Sequence, residues 1–80
     1  MNVKDVVANR FIGLCKTNKI KPNELANLSG VTPSTLYSML NENRRDVSIS
    51  TIKKLCDGLN ITLGEFFSSS EFDKLEQEIR

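Results

Sequence analysis

A five-residue segment in the first half of the chain, Ser29-Gly30-Val31-Thr32-Pro33, combines a signal that ends one helix with a signal that begins the next. Glycine readily adopts the left-handed conformation that commonly ends a helix. A threonine hydroxyl accepts a free backbone N–H at the start of a helix, and proline suits the first helical position because it has no N–H to leave unpaired. The segment therefore predicts two helices joined by a tight turn.

Apolar residues recur at helical spacing along the whole chain, and the alternating Val, Ile and Thr runs that are typical of strands are absent. Thr62 and Glu65 form a capping-box pattern, which marks the start of a further helix. We therefore expect an all-α fold. Its helices are predicted from about Val3 to Thr17, from Pro22 to Ser29, from Pro33 to about Asn41, from a Ser48 cap to about Leu59, from a Thr62 cap through Phe67, and from about Ser70 into the tail.

A chain of 80 residues is long enough for one small domain with a marginal core. We expect a single helical domain over residues 1–67 and a short helical tail over residues 68–80. The composition, 39% hydrophobic and 26% charged, is that of a globular protein and argues against disorder and against a membrane span. Residues 1–5 lead into an amphipathic stretch rather than an apolar signal core, so we expect a cytoplasmic protein.

The chain contains two cysteines, Cys15 and Cys56, and no histidine. A structural zinc site needs about four Cys or His ligands, so we expect no metal site and no cofactor. Both cysteines lie in apolar helical patterns, which predicts buried, reduced thiols. The sequence has no glycine-rich phosphate loop and no plausible Cys–base pair, so it argues against an enzyme and indicates no small-molecule ligand.

Charge is distributed unevenly along the chain, although the net charge is only +1. Residues 1–54 carry nine Lys and Arg against four acidic residues, a net charge of +5, whereas residues 55–80 carry −4. A basic segment followed by an acidic tail suits a protein that binds phosphate groups with its basic face and keeps its acidic face away from them. Chance asymmetry in a small protein is the alternative explanation.

The segment Glu24–Leu40 is the most informative for function, because it contains two short helices around a turn. Helices that cross closely need a small residue at the crossing, here Ala26, and a glycine in the turn, here Gly30. Val31 and Leu36 are placed as apolar anchors that fix the crossing angle. This spacing is typical of a helix-turn-helix.

The segment resembles the Cro/CI repressor family, also called the Xre-type helix-turn-helix family. The resemblance covers about residues 7–67: Leu14 and Ile20 match the first helix of the family, and residues 52–67 look like its fourth and fifth helices. It implies a five-helix, lambda-repressor-like DNA-binding domain, here with a short extra C-terminal helix. It also implies a regulator of transcription that binds double-stranded DNA, most simply a repressor.

The resemblance implies that the third helix enters the major groove while the second lies across the DNA backbone. The residues that it places toward base edges are Pro33, Ser34, Tyr37 and Ser38. The residues that it places near phosphates are Lys21, Thr32, Thr35, Asn41, Asn43, Arg44 and Arg45. Thr32 and Thr35 also suit capping of the helix, Tyr37 also suits a half-buried core position, and the two arginines also suit a solvated loop.

The chain departs from the family pattern at several positions. Pro22 stands where many members begin the second helix with a Gln that contacts the operator, and Glu42 stands at a position that is often Gly. No Arg, Gln or Asn lies among the base-facing residues, so the usual bidentate readers of bases are missing. Cys15 and Leu40 occupy positions where members often carry a paired Arg and Glu, so we expect a direct buried contact between them.

The tail carries an apolar stripe that has three possible uses: packing on its own domain, binding a partner protein, or binding a second copy of the chain. Its residues are Phe66, Phe67, Phe72, Leu75 and Ile79. Because one small module reads only a few base pairs, we expect a homodimer on DNA that uses this stripe.

A protein-interaction module, such as an antitoxin that acts mainly by binding a partner, is the alternative function. The surface of the third helix distinguishes the two functions. Exposure of Ser34, Tyr37 and Ser38 on one face with Arg44 and Arg45 favours DNA, whereas coverage of that face by the tail favours a partner protein.

Overall fold

The computed structural model describes residues 2–41 and 46–75, and its regular structure there is entirely helical. The helices are α1 (Val3–Asn18), α2 (Pro22–Ser29), α3 (Pro33–Leu40), α4 (Ile49–Gly58), α5 (Leu63–Phe67) and α6 (Ser70–Asp73). The all-α class is confirmed, and so are the predicted helix positions to within one or two residues through α5. The tail helix begins where it was predicted and ends at Asp73; Ile79 lies outside the described residues.

Three of the helices end in the same way, with one residue in the left-handed conformation. These residues are Lys19 after α1, Gly30 after α2 and Asn60 after α4, with φ values of 56°, 68° and 59°. The residue after each of them is apolar and donates its backbone N–H to the carbonyl five positions earlier, at 3.0 Å in all three cases. This hydrogen bond closes the helix and turns an apolar side chain toward the interior.

The core forms where α1, α2, α3, α4 and α5 meet. Each of these helices contributes at least one residue with 1% exposure or less, namely Phe11, Leu25, Leu36, Leu55 and Phe66. Ala26 is completely buried, as expected for the small residue at the crossing of α2 and α3, and Val31 is buried as the anchor of the turn. The sequence prediction for the helix-turn-helix anchors is confirmed.

Helices α2 and α4 pack tightly against each other at Ser29 and Gly58. A Cβ atom added at position 58 would lie 2.0 Å from the Ser29 Oγ and 3.1 Å from its Cβ. The Ser29 hydroxyl is buried and has no hydrogen-bond partner among the described residues. Position 58 therefore needs glycine because a neighbouring helix occupies the space, and not because of its backbone angle.

The aromatic residues of the C-terminal stripe pack on their own domain. Phe66 is fully buried, and its ring centroid lies 4.3 Å from that of Phe11 on α1. Phe67 and Phe72 are partly buried, with centroids 4.9 Å apart, and both contact the core. The expectation that the whole stripe forms a dimer interface is therefore wrong for Phe66, because an 80-residue domain uses this ring to close its core.

Arg10 on α1 holds the C-terminal end of α5. Its Nε donates to the carbonyl of Phe66 at 2.9 Å, and its terminal nitrogen donates to the carbonyl of Glu65 at 3.0 Å. A cation is favourable at a helix C-terminus, where carbonyl groups lack partners within the helix. Arg10 therefore belongs to the fold, although the charge distribution grouped it with residues available for phosphate.

Cys15 and Leu40 line the same small apolar cavity of about 10 Å³ between α1, α2 and α3. Cys15 is buried, as predicted, and Leu40 is partly buried. The two positions at which the resemblance implies a charged pair thus carry apolar side chains at one site, and the direct contact between them stays a prediction.

We predict that Gly58→Ala destabilises the domain by about 1–3 kcal/mol, because the new methyl group overpacks the contact between α2 and α4. Gly13→Ala is the matched control: position 13 has no neighbouring atom within 4 Å, so helix propensity should make it stabilising by about 0.5–1 kcal/mol. Urea unfolding followed by circular dichroism measures both free energies. The Gly58→Ala cost should shrink in a Ser29→Gly background, and an undiminished cost would mean that Ser29 is not the obstacle.

We predict that both cysteines are unreactive in the folded chain. Burial raises the pKa of the Cys15 and Cys56 thiols, and Asp57 raises the pKa of Cys56 further. A disulfide reagent at mildly alkaline pH should titrate two thiols in urea and almost none in its absence. Because the thiolates form more readily in the unfolded chain, stability should also fall as pH rises above about 8.5, the ordinary thiol pKa. Fast reaction of the native protein would contradict the burial of these residues.

Candidate nucleic-acid interface

Helix α3 divides into a buried face and an exposed face. Leu36 and Met39 are 1% and 2% exposed and fix the helix to the core. At about 100° per residue, the four residues that sequence analysis predicted to face bases lie on the opposite side, within about 140° of arc. All four are exposed, and we call them the recognition face: Pro33, Ser34, Tyr37 and Ser38.

Tyr37 dominates the recognition face because it is a large side chain that the domain leaves in solvent. Its exposed fraction is 56%, so the alternative of a half-buried core aromatic does not hold. An aromatic ring offers an apolar surface to a thymine methyl group and a hydroxyl to phosphate. The serines beside it are small and either donate or accept hydrogen bonds.

The start of α3 is fixed by Thr32 and Thr35. The Thr32 hydroxyl accepts the backbone N–H of Thr35 at 3.2 Å, and the two hydroxyl oxygens are 2.9 Å apart. Thr32 therefore caps the helix, as sequence analysis predicted for this pair. Both residues are exposed, which leaves a hydroxyl available to a phosphate at this helix start.

The start of α2 carries Lys21, which is exposed and lies at the N-cap position. Its backbone N–H donates to the Glu24 carboxylate at 3.2 Å, so the side chain is not needed for the cap. Pro22 follows at the first helical position, as predicted. Lys21 therefore places an exposed, cationic side chain at the start of α2, next to Pro22, the position at which the resemblance implies a Gln.

The end of α3 involves a residue that sequence analysis did not single out. Asn41 is the C-cap, and its backbone carbonyl accepts a hydrogen bond from the Nζ of Lys4. Lys4 is 1% exposed, and it is the one buried charged residue in the described part of the chain. The Asn41 residue itself is exposed. The other predicted phosphate contacts in this region, Asn43, Arg44 and Arg45, lie outside the described residues.

Residues 2–41 and 46–75 contain no group of three or more His, Cys, Asp or Glu side chains placed to hold a metal ion. None of the helices described there has both the length and the apolar character needed to cross a membrane.

Residues 10–70 match the model of the Cro/C1-type helix-turn-helix DNA-binding domain. The chain belongs to this family. Among solved structures it is similar to the crystal structure of prophage Lp1 protein 11, with a TM-score of 0.84 and 25% sequence identity over 94% of this chain and 100% of that chain. A search of curated proteins gave no significant match.

As a Cro/C1-type domain, the chain is a DNA-binding protein, and the predicted family is confirmed. Its basic half contributes less charge to the surface than the sequence indicates. Lys4 is buried, Arg10 bonds to the end of α5, and Lys53 forms an ion pair with Asp57 on α4. Lys16, Lys19 and Lys21, by contrast, are exposed around the connection from α1 to α2.

Proposed function

We propose that this protein is a sequence-specific transcriptional regulator, most simply a repressor, that reads an operator with α3 in the major groove. The observation that carries the proposal is the recognition face, which is exposed on the second helix of a Cro/C1-type helix-turn-helix. In this arrangement α2 lies across the DNA backbone and the N-terminal part of α3 meets base edges. Occupancy of the operator would then block polymerase without any enzymatic step.

The recognition face is suited to thymine-containing sites. Tyr37 and Pro33 present apolar surface, and thymine is the base with a methyl group in the major groove. Ser34 and Ser38 form hydrogen bonds with several bases, so they contribute less discrimination than a bidentate Arg or Asn. We therefore propose that much of the direct readout by α3 comes from methyl contacts at Tyr37.

Phosphate contacts surround the recognition face in this proposal. They are assigned to Lys21, Thr32, Thr35, Asn41, Asn43, Arg44 and Arg45. Contacts of this kind set the orientation of the protein on DNA and provide affinity without sequence information. We place the protein in the cytoplasm, since its two free cysteines suit a reducing compartment.

The alternative function, a module that acts mainly by binding a partner protein, has weaker support. Its tail would need to cover α3 or present a large apolar stripe, yet Ser34, Tyr37 and Ser38 are exposed and Phe66 is in the core. The tail helix α6 packs against α1 instead. The described part of the tail therefore leaves the recognition face uncovered, which supports the regulator.

Selection of bound sequences from random duplex DNA should yield a preferred site. Tyr37→Ala should weaken binding to that site by about 1–3 kcal/mol, which is the usual cost of a lost base contact. The loss on random DNA should be smaller. Tyr37→Phe is the matched control, because it keeps the ring and removes only the hydroxyl. It should bind the selected site nearly as well as the native protein.

Replacing thymine by uracil in the selected site removes the methyl group alone and gives an independent measurement. Affinity should fall at one or two thymines for the native protein, and those same substitutions should have no further effect on Tyr37→Ala. Equal losses on selected and random DNA would mean that Tyr37 does not read bases. Absence of any selected sequence would reject the proposed function.

The regulator is proposed to act as a homodimer on DNA. A single module of this size buries roughly 600–1,000 Å² of protein surface on DNA, and two half-sites about 34 Å apart give more selectivity than one. With Phe66 in the core and Ile79 outside the described residues, the partly buried Phe67, Phe72 and Leu75 are the stripe residues that we propose for contact with a second copy. Such an interface is small, so we propose a dimer that is weak in solution.

We predict that sedimentation at tens of micromolar shows mainly monomer without DNA and two proteins on a duplex that carries an inverted repeat of the selected site. A duplex with one half-site is the control and should bind one protein more weakly. Phe67→Ala should reduce the cooperativity between half-sites while leaving single half-site affinity unchanged. One protein per inverted repeat at saturation would contradict the dimer.

A further inference from the structure

Helix α3 is short and needs partners at both of its ends. It has eight residues, so most of its backbone groups lie in the first or last turn, where intrahelical hydrogen bonds are incomplete. A helix of this length is not stable by itself. The Thr32 hydroxyl caps its N-terminal end, and the C-cap residue Asn41 accepts a hydrogen bond from a residue of a different helix, Lys4 on α1.

The C-terminal end of α3 differs from those of α1, α2 and α4. Each of those three helices is followed by a residue with positive φ, and the helix then closes with its own backbone N–H groups. Asn41 after α3 instead has φ −75° and ψ 119°, an extended conformation. Its N–H donates to the Ser38 carbonyl at 3.3 Å, and its own carbonyl accepts a hydrogen bond from the ammonium of Lys4, a partner that the other three helix ends do not have.

Lys4 is held rigidly at the start of α1. A reciprocal pair of hydrogen bonds flanks it: the Asp5 N–H donates to the Asn2 side chain at 2.9 Å, and the Asn2 N–H donates to the Asp5 carboxylate at 3.1 Å. Its stem continues the buried stripe of Val7 and Phe11 on the same face of α1. With 1% exposure, this ammonium is inaccessible to a DNA phosphate.

We propose that Lys4 is a positioning residue for DNA recognition: its hydrogen bond to the Asn41 carbonyl sets the last turn of α3 and thereby the placement of Tyr37 and Ser38. An ammonium group at a helix C-terminus is favoured by the partial negative charge there, which offsets part of the cost of burying it. The role rests on the proposed reading of DNA by α3. Lys4 acts without touching DNA.

The test compares three variants that each remove one positive charge from the full chain, on the selected operator and on random DNA. Lys4→Met keeps the apolar stem and removes the ammonium. Lys74→Met removes an exposed charge from the acidic tail, and Lys21→Met removes a proposed phosphate contact. All affinities are measured across a salt series, at a temperature where circular dichroism shows each variant to be folded.

Lys4→Met should weaken operator binding about tenfold or more relative to Lys74→Met, as expected when a base contact is misplaced. Its salt dependence and its affinity for random DNA should match those of Lys74→Met. Lys21→Met should instead reduce the slope of log K against log salt by about 0.9, the value for one lost phosphate contact. Equal operator affinities for Lys4→Met and Lys74→Met would overturn the proposal, and so would a reduced slope for Lys4→Met.

A measurement without DNA separates this inference from the proposed function. In hydrogen exchange followed by NMR, Lys4→Met should lose protection at the amides of Met39, Leu40 and Asn41, whereas Leu25 on α2 should keep its protection. Uniform loss throughout the domain would show a general structural role and overturn the assignment. Should Lys4→Met not fold, Lys4→Leu removes the donor with a shorter apolar side chain. Native operator affinity in folded Lys4→Leu would then overturn the proposal.

Discussion

The contact between Phe11 and Phe66 joins the beginning of this domain to its end, and the other helices are arranged around it. The two rings, 4.3 Å apart between centroids, connect α1 to α5 across the core. Arg10 strengthens the same junction, since it bonds to the last carbonyls of α5 and its guanidinium lies 5.9 Å from the centre of the Phe66 ring. This connection ties the first helix to the fifth, and α2, α3 and α4 contribute the rest of the same small core.

Helix α1 acts on its neighbours through charge as well as through apolar packing. Its two buried or partly buried cations, Lys4 and Arg10, each contact the C-terminal carbonyls of another helix, α3 and α5 respectively. Carbonyl groups at a helix end are the natural partners of a cation in a low-dielectric setting. A single long helix thus completes two short ones, neither of which would be stable alone.

Local rules account for most of what sequence analysis predicted correctly. Thr32, Ser48 and Thr62 each cap the helix that was predicted to follow them, because a hydroxyl at the N-cap needs only the backbone next to it. Gly30 adopts the positive φ that the turn requires. The base-facing residues came from the family resemblance, and helical periodicity agrees with their exposure, since it separates them from Leu36.

Features that depend on distant parts of the chain were not predictable in this way. The positive φ of Lys19 and Asn60 was missed because neither residue type marks a helix end as strongly as glycine. The burial of Lys4 and the need for glycine at position 58 depend on which helix lies opposite. The packing of the tail was left open because an apolar stripe looks the same whether it covers its own core or a partner.

In α3 the residues that pack in the core are different from the residues that face solvent, and this affects how proteins with this fold acquire new DNA targets. Leu36 and Met39 serve the core alone, and Ser34, Tyr37 and Ser38 serve the solvent side alone, so none of these five residues is constrained by both tasks. Substitutions at exposed positions usually change folding stability by no more than about 0.5 kcal/mol. After gene duplication, substitutions at the exposed residues of α3 can therefore give the two copies different DNA targets while the core stays unchanged. New regulatory circuits can arise in this way from a few surface changes, with no need to repack the interior.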